Sequence, residues 1–468
     1  MPSIPISLRM QPDPTFYPSP RDAMRAPPED LAYVAGLYVG TGIDRPDFLA
    51  VVDVNPNSPT YGKVVGRVDM PYVGDELHHF GWNACSSAFC PYAKPYVERR
   101  YLVVPGLRSS RIYIIDTKPD PKNPQIVKTI DPGEVLSRSG YSRLHTVHCG
   151  PEAIYISALG GVDGDGPGGI LMLDHYSFDV LGRWEIFRGP QYYAYDFWWH
   201  LAHDIMITSE WTTPKYFENG LDVKALVEGR YGNKIHFWDL RKRKHIAAVE
   251  LSPEDRMVLE LRPFHNPTEL KGFVNTVVNL KDLSSAIWLW FYEDNKLQVE
   301  KVIEIDAQPL EESLLPDILK PFKAVPPLVT DIDLSLDDKY LYLSLWGLGE
   351  LRRYDVSDPF KPRLVATAKL GGIYHRARHP NGRELSGGPQ MVEISRDGRR
   401  VYVTNSLYSS WDNQFYPEGI RGWLVKLNAD PDGSLTIDRD FFVDFGEARV
   451  HQVRLKGGDA SSDSYCYP

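Results

Sequence analysis

Short apolar runs recur along the whole chain, separated by clusters of Gly, Pro, Asn and Asp. The stretch "YLVVPGLRSSRIYIIDTKPDPKNPQIVKTI", from Tyr101, contains one full unit: a β-rich run, a turn, a second run closed by an acid, and a third run. Related units begin near Ala32, Ala153, Ile205, Phe273, Tyr340 and Val401, which makes seven copies. The acids Asp53, Asp116, Asp174, Asp239 and Asp355 close the equivalent strand in five of them. Repeated four-stranded units of this kind mark a β-propeller. The spacing exceeds the ~40–45 residues of WD40 repeats, so long loops must be inserted between strands. The expected fold is all-β: a single seven-bladed β-propeller over residues 31–468, preceded by a Pro-rich segment over residues 1–30. A pair of β-sandwich domains is the alternative. Helix is expected only as short turns, at "SLLPDILKPF" and "LDVKALVEG".

The first strand of each propeller blade lines the central channel, so its residues converge although they are distant in sequence. Stepping back from each second strand finds these inner strands. Nine residues before Ile154, Ile205 and Val274 stand His145, Asp196 and His265. The run "LVTDIDLS" brings Asp331, "GGPQMVEIS" brings Gln390, and "EARVHQVRL" closes the ring with His451. The segment "DELHH", with Asp75, Glu76, His78 and His79, feeds the blade of "YLVVPG". His78, His79, His145, His148, His265 and His451 therefore all fall on candidate channel-lining segments. Imidazoles gathered from several blades can hold copper, iron or zinc and leave a position open for substrate. Asp75, Glu76 and Asp331 are the carboxylates available to orient such ligands or to act as a base. His200 and His203 also have metal-like spacing, but "WWHLAHD" places them at the outer end of a strand pair.

Composition narrows the function classes. The chain has 468 residues and a formal charge of −10, which argues against a nucleic-acid partner because phosphate binding needs a basic face. Apolar runs such as "AIWLWF" are far shorter than the ~20 residues of a membrane span. The N-terminal stretch lacks the apolar core of a signal peptide. Four cysteines in 468 residues do not form a disulfide framework, and a reducing cytoplasm is the expected compartment. Cys85, in the polar loop "ACSSAF", is expected to be solvent-accessible and more reactive than Cys149 on its strand. Cys85 and Cys90 could form a reversible disulfide if their loop folds back, while Cys466 has no evident role.

The segments "DELHHFGWNACSS", "LHTVHC", "YDFWW", "FHNP", "VTDIDLSLDDKYLYLSLW", "GGPQMVEIS" and "TNSLYSSWDNQFYP" together resemble the selenium-binding protein family, which includes the methanethiol oxidases. The resemblance runs from about Asp75 to Ser462. It implies a seven-bladed propeller and a copper-dependent oxidation of methanethiol, with oxygen and water, to formaldehyde, hydrogen sulfide and hydrogen peroxide. It also implies that Cys85 is the family's reactive cysteine, the residue thought to take up selenium. Many members read C-x-x-C at this point. Here Ala88 stands in the second position, which removes a vicinal dithiol of that type. A non-catalytic selenium or thiol carrier using Cys85, and an iron oxygenase, are the alternatives to a copper enzyme.

Overall fold

In the computed structural model, which describes residues 13–294 and 296–468, seven four-stranded antiparallel sheets form the blades of a propeller. The last strand, Arg449–Leu455, is the inner strand of the first blade. It pairs with Leu31–Leu37, Ala32 facing Leu455 and Val34 facing Val453, so the two ends of the propeller sequence close the ring. Most middle strands are largely apolar because neighbouring blades cover both of their faces. Phe48–Asp53 and Ile112–Asp116, for example, are buried at every position. Outer strands such as Lys244–Glu250 alternate exposed and half-buried residues, as a strand with one wet face must. Four of the five marker acids end the third strand of a blade, and Asp174 follows its strand directly.

Three expectations need correction. The inner strand of blade 5 is Asp255–Pro263 and its partner begins at Lys271, not near Val274. His265 therefore lies in the turn between those strands, off the channel-lining strand. Prolines 316 and 321 reduce "SLLPDILKPF" to two 3-10 turns, Glu312–Leu314 and Lys320–Phe322. The longest helix, Pro132–Ser139, is one that the strand-based reading missed. Among the described residues no helix is long and apolar enough to cross a membrane. Residues 1–12 of the expected Pro-rich segment lie outside the described residues. The rest of that segment packs on the ring: Asp13 accepts from the Arg99 N–H at 2.9 Å and Glu29 pairs with Arg400 at 2.7 Å.

The third correction concerns the cysteines. Cys90 pairs with Cys466, not with Cys85, and their Cα atoms are 5.7 Å apart, an ordinary disulfide span. A 3-10 turn, Ser86–Phe89, separates Cys85 from Cys90. The C-terminal tail meanwhile folds back onto the ring, with Asp463 held by Arg99 at 2.6 Å and Arg396 at 2.6 Å. The disulfide closes a loop of 376 residues. Loops of that length gain most from cross-linking. Cys466→Ser is expected to lower stability by about 2–5 kcal/mol, read from denaturant midpoints without reductant. An unchanged midpoint would show that the bond adds nothing to the fold.

Candidate metal centre

His78 and His79 sit on a segment tied down from both sides. The Leu77 N–H donates to Asp47 at 2.9 Å, and the Phe80 N–H donates to Gln452 Oε1 at 2.8 Å. Asp47 also accepts from the Tyr38 N–H, and burial pushes its carboxyl up to about 7. Arg454 holds the Phe80 carbonyl at 3.1 Å. Across the channel, the inner strands Ser142–Cys149 and Arg449–Leu455 carry His145 and His451. The four rings meet. His78 stacks on His451 with centroids 3.6 Å apart, His79 is 4.1 Å from His145, and His78 is 4.9 Å from both His79 and His145. One nitrogen from each of His78, His79 and His145 can be chosen so that all three lie within 4.8 Å of one another.

These imidazoles are fully buried and uncharged. Burial, then the neighbouring rings, hold His78 and His79 well below the ordinary histidine value. Burial takes His145 and His451 down to about 3. His451 Nδ1 lies 2.6 Å from the Ser406 carbonyl. A carbonyl only accepts, so Nδ1 carries the proton and Nε2 keeps its lone pair. His145 Nδ1 meets Thr146 Oγ1 at 2.9 Å. The Nε2 atoms of His79, His145 and His451 are buried without any hydrogen-bond partner. A buried polar atom left unpaired costs about 1–3 kcal/mol. His79 and His145 belong with His78 to the group whose nitrogens lie within 4.8 Å of one another, which is the pattern of a ligand set. This histidine cluster can hold a metal ion.

The other two histidines expected here stand elsewhere. His148, three residues along the same strand, lies 3.9 Å from Asp196 and packs against Trp198. His265 has both nitrogens engaged, by Asp338 at 3.0 Å and the Ala460 carbonyl at 3.0 Å, so no lone pair is free. Of the carboxylates, Asp75 is clamped by Arg111 at 2.6 Å and Tyr113 at 2.5 Å. Glu76 bridges Arg108 at 2.9 Å and the Ser409 N–H at 2.9 Å. Asp331 accepts from the Val392 N–H at 2.7 Å and faces Arg262 at 3.3 Å. Burial pushes its carboxyl up, although Arg262 opposes the shift.

Cys85 does not have the solvent access expected of it: it is 1% exposed. Its sulfur lies 3.1 Å from Ser87 Oγ and 3.4 Å from the Cys149 carbonyl, against the C-terminal tail. Burial raises its pKa, but hydrogen bonding with Cys149 and Ser87 brings the thiol below its ordinary value. Burial and Cys85 push Cys149 well above it.

A small apolar cavity of about 20 Å³ adjoins the cluster. His78 forms one side, facing Tyr195, Trp211, Met257, Tyr408 and Trp411. The residues of this wall were not identified from the sequence, although "YDFWW", "SEW" and "TNSLYSSW" flank or contain four of them. The Tyr408 hydroxyl accepts from Arg108 at 3.0 Å. A far larger cavity of about 650 Å³ lies beside the N-terminal segment. Each charge around it already has a partner, such as Arg400 with Glu29 and Lys456 with Asp30.

Residues 10–466 match the model of the 56 kDa selenium-binding protein family. The chain is 40% identical to the methanethiol oxidase of Homo sapiens, covering 96% of this chain and 97% of that protein. It is 39% identical to selenium-binding protein 2 of Mus musculus over the same shares. A crystal structure of a hypothetical selenium-binding protein from Sulfolobus tokodaii superposes with a TM-score of 0.96 at 72% identity, covering 97% of this chain and all of that one.

Proposed function

Starting from the fact that the chain belongs to the 56 kDa selenium-binding protein family, we propose that it is a copper-dependent thiol oxidase. The reaction is methanethiol with dioxygen and water giving formaldehyde, hydrogen sulfide and hydrogen peroxide, one of each. Relatives named methanethiol oxidase at 40% identity over nearly the whole chain support the reaction class. The observation that carries the reading is the set of buried, unpartnered Nε2 atoms on His79, His145 and His451.

The donor set fits copper. Neutral imidazoles bind it strongly, and no ligand carboxylate is needed. His78, His79 and His145 would hold the ion, with His451 completing the group. Bound copper supplies the one-electron chemistry that lets a thiol react with dioxygen. The protein's part is placement. Ser406 and Thr146 fix the His451 and His145 rings through their Nδ1 atoms, which keeps the opposite nitrogens aimed at the ion. The aromatic wall beside His78 admits a small apolar group and excludes bulk water. Among the carboxylates, Asp331 has the raised pKa that a base needs, but both of its oxygens are held, by Arg262 and the Val392 N–H. Thr330, the residue before it on the strand, lines the cavity and Asp331 does not, as alternation along a strand requires. Asp75 and Glu76 act as anchors, because arginines and hydrogen bonds occupy both oxygens of each. Cys85 serves selenium or thiol binding rather than this chemistry: it is absent from the cavity lining. Its hydrogen-bonded contact with Cys149 favours, as a second reading, a carrier role at that thiol pair. Iron is the alternative metal, since imidazole suits both ions.

The test loads the protein with copper or iron and supplies methanethiol in air. The proposal expects about one copper per chain and formaldehyde, sulfide and peroxide in equal amounts. Stoichiometric copper with no methanethiol consumption would reject the reaction. Activity with iron alone would reject the metal.

A further inference from the structure

Met257 lies on the inner strand of blade 5, just before a bulge. The strand slips register against Lys271–Asn279 between Val258 and Leu261. Met257 has φ of 62°, the left-handed region that unbranched side chains reach only at a cost of about 1–3 kcal/mol. The conformation is held from the neighbouring blade. The Met257 N–H donates to the Gly232 carbonyl at 2.9 Å, and the Val258 N–H donates to the Glu210 carbonyl at 3.0 Å. Met257 is one of the side chains that line the cavity beside His78. The rest of the lining is aromatic, branched or the imidazole itself, so Met257 is its one flexible unbranched side chain.

The cavity of about 20 Å³ has room for little more than one water-sized molecule. On this basis, and resting on the thiol-oxidase reading above, we propose that Met257 sets the chain-length limit of the substrate: methanethiol, the smallest thiol, is favoured beside His78 and longer thiols are progressively excluded. Truncation to alanine removes three heavy atoms beyond Cβ, room for a comparable length of alkyl chain. Each methylene in an apolar pocket is worth roughly 10–200-fold in discrimination.

The experiment measures binding of methanethiol, ethanethiol and 1-propanethiol to the protein as purified, without oxygen. The fluorescence of Trp211 and Trp411, which border the cavity, reports occupancy. The wild type is expected to bind 1-propanethiol at least about 10-fold more weakly than methanethiol, and Met257→Ala to remove or invert that preference. Met257→Gly provides a second variant, because glycine adopts φ above zero without strain and opens the same space. Met257→Leu, similar in volume, should keep the preference. Equal wild-type affinity for all three thiols, or an unchanged ratio in folded Met257→Ala and Met257→Gly, overturns the proposal. Assays in air separate it from the reading on which it rests. If the binding order holds but no thiol is oxidised, the oxidase reading fails and the chain-length limit is supported.

Discussion

Replacing His145 or His451 with alanine is expected to strip the metal and lower methanethiol oxidation by at least ~10²-fold, since even the outer partners of metal ligands are worth 10–100-fold. The fold should survive. Each ring carries an unpartnered nitrogen and is held uncharged by burial, so its loss removes an unsatisfied group from the core. The blades are held together by apolar strands such as Phe48–Asp53 and Ile112–Asp116, which these substitutions leave untouched. His245→Ala is the control: that ring bonds to His236 at 2.9 Å on an outer strand and should leave metal content and rate unchanged. The check is metal per chain by elemental analysis, with rate and circular dichroism on the same samples. Full metal content in both ligand variants would refute the assignment.

Replacing Arg262 with methionine is expected to lower stability by about 3–5 kcal/mol near neutral pH. Its guanidinium sits among four buried carboxyl groups: Glu260 at 3.1 Å, Asp331 at 3.3 Å, Asp196 at 3.5 Å and Asp333 at 3.5 Å. Removing the cation leaves their charge uncompensated in the channel. Burial already raises the Asp331, Asp333 and Glu260 carboxyls, and Arg262 pulls them down; without it they rise further. Between the ordinary carboxylate pKa of ~4 and that raised value, the folded chain binds more protons than the unfolded chain. Stability therefore falls as pH rises through this window. The deficit relative to wild type should be smaller at pH 5 than at pH 8, measured from denaturant midpoints. Equal deficits at both pH values would mean that Arg262 contributes through packing alone.

The ring was legible because strand repeats survive in the sequence: marker acids such as Asp116 and Asp239 end equivalent strands. Counting back from those strands reached His145 and, through the closing strand, His451. It failed at His265 because the second strand of that blade starts three residues earlier than its most apolar part, at Lys271. A shift that small moves a side chain from the channel into a turn. Met257 was not legible because its left-handed backbone, with φ of 62°, breaks the two-residue period that identifies a strand face. The Cys90–Cys466 bond was not legible because it depends on a tail that docks through Asp463, Arg99 and Arg396, contacts that no local pattern records. Burial of Cys85 has the same origin. The loop "ACSSAF" looks polar, but the tail covers it, and Ser86 donates to Asp463 at 2.6 Å.

The most direct test of the central claim is an anomalous-difference map at the copper edge from crystals of the copper-loaded protein. One strong peak is expected about 2 Å from nitrogens of His78, His79 and His145, with His451 beside it. A peak at Cys85 and Cys149, or none among these four imidazoles, would contradict it.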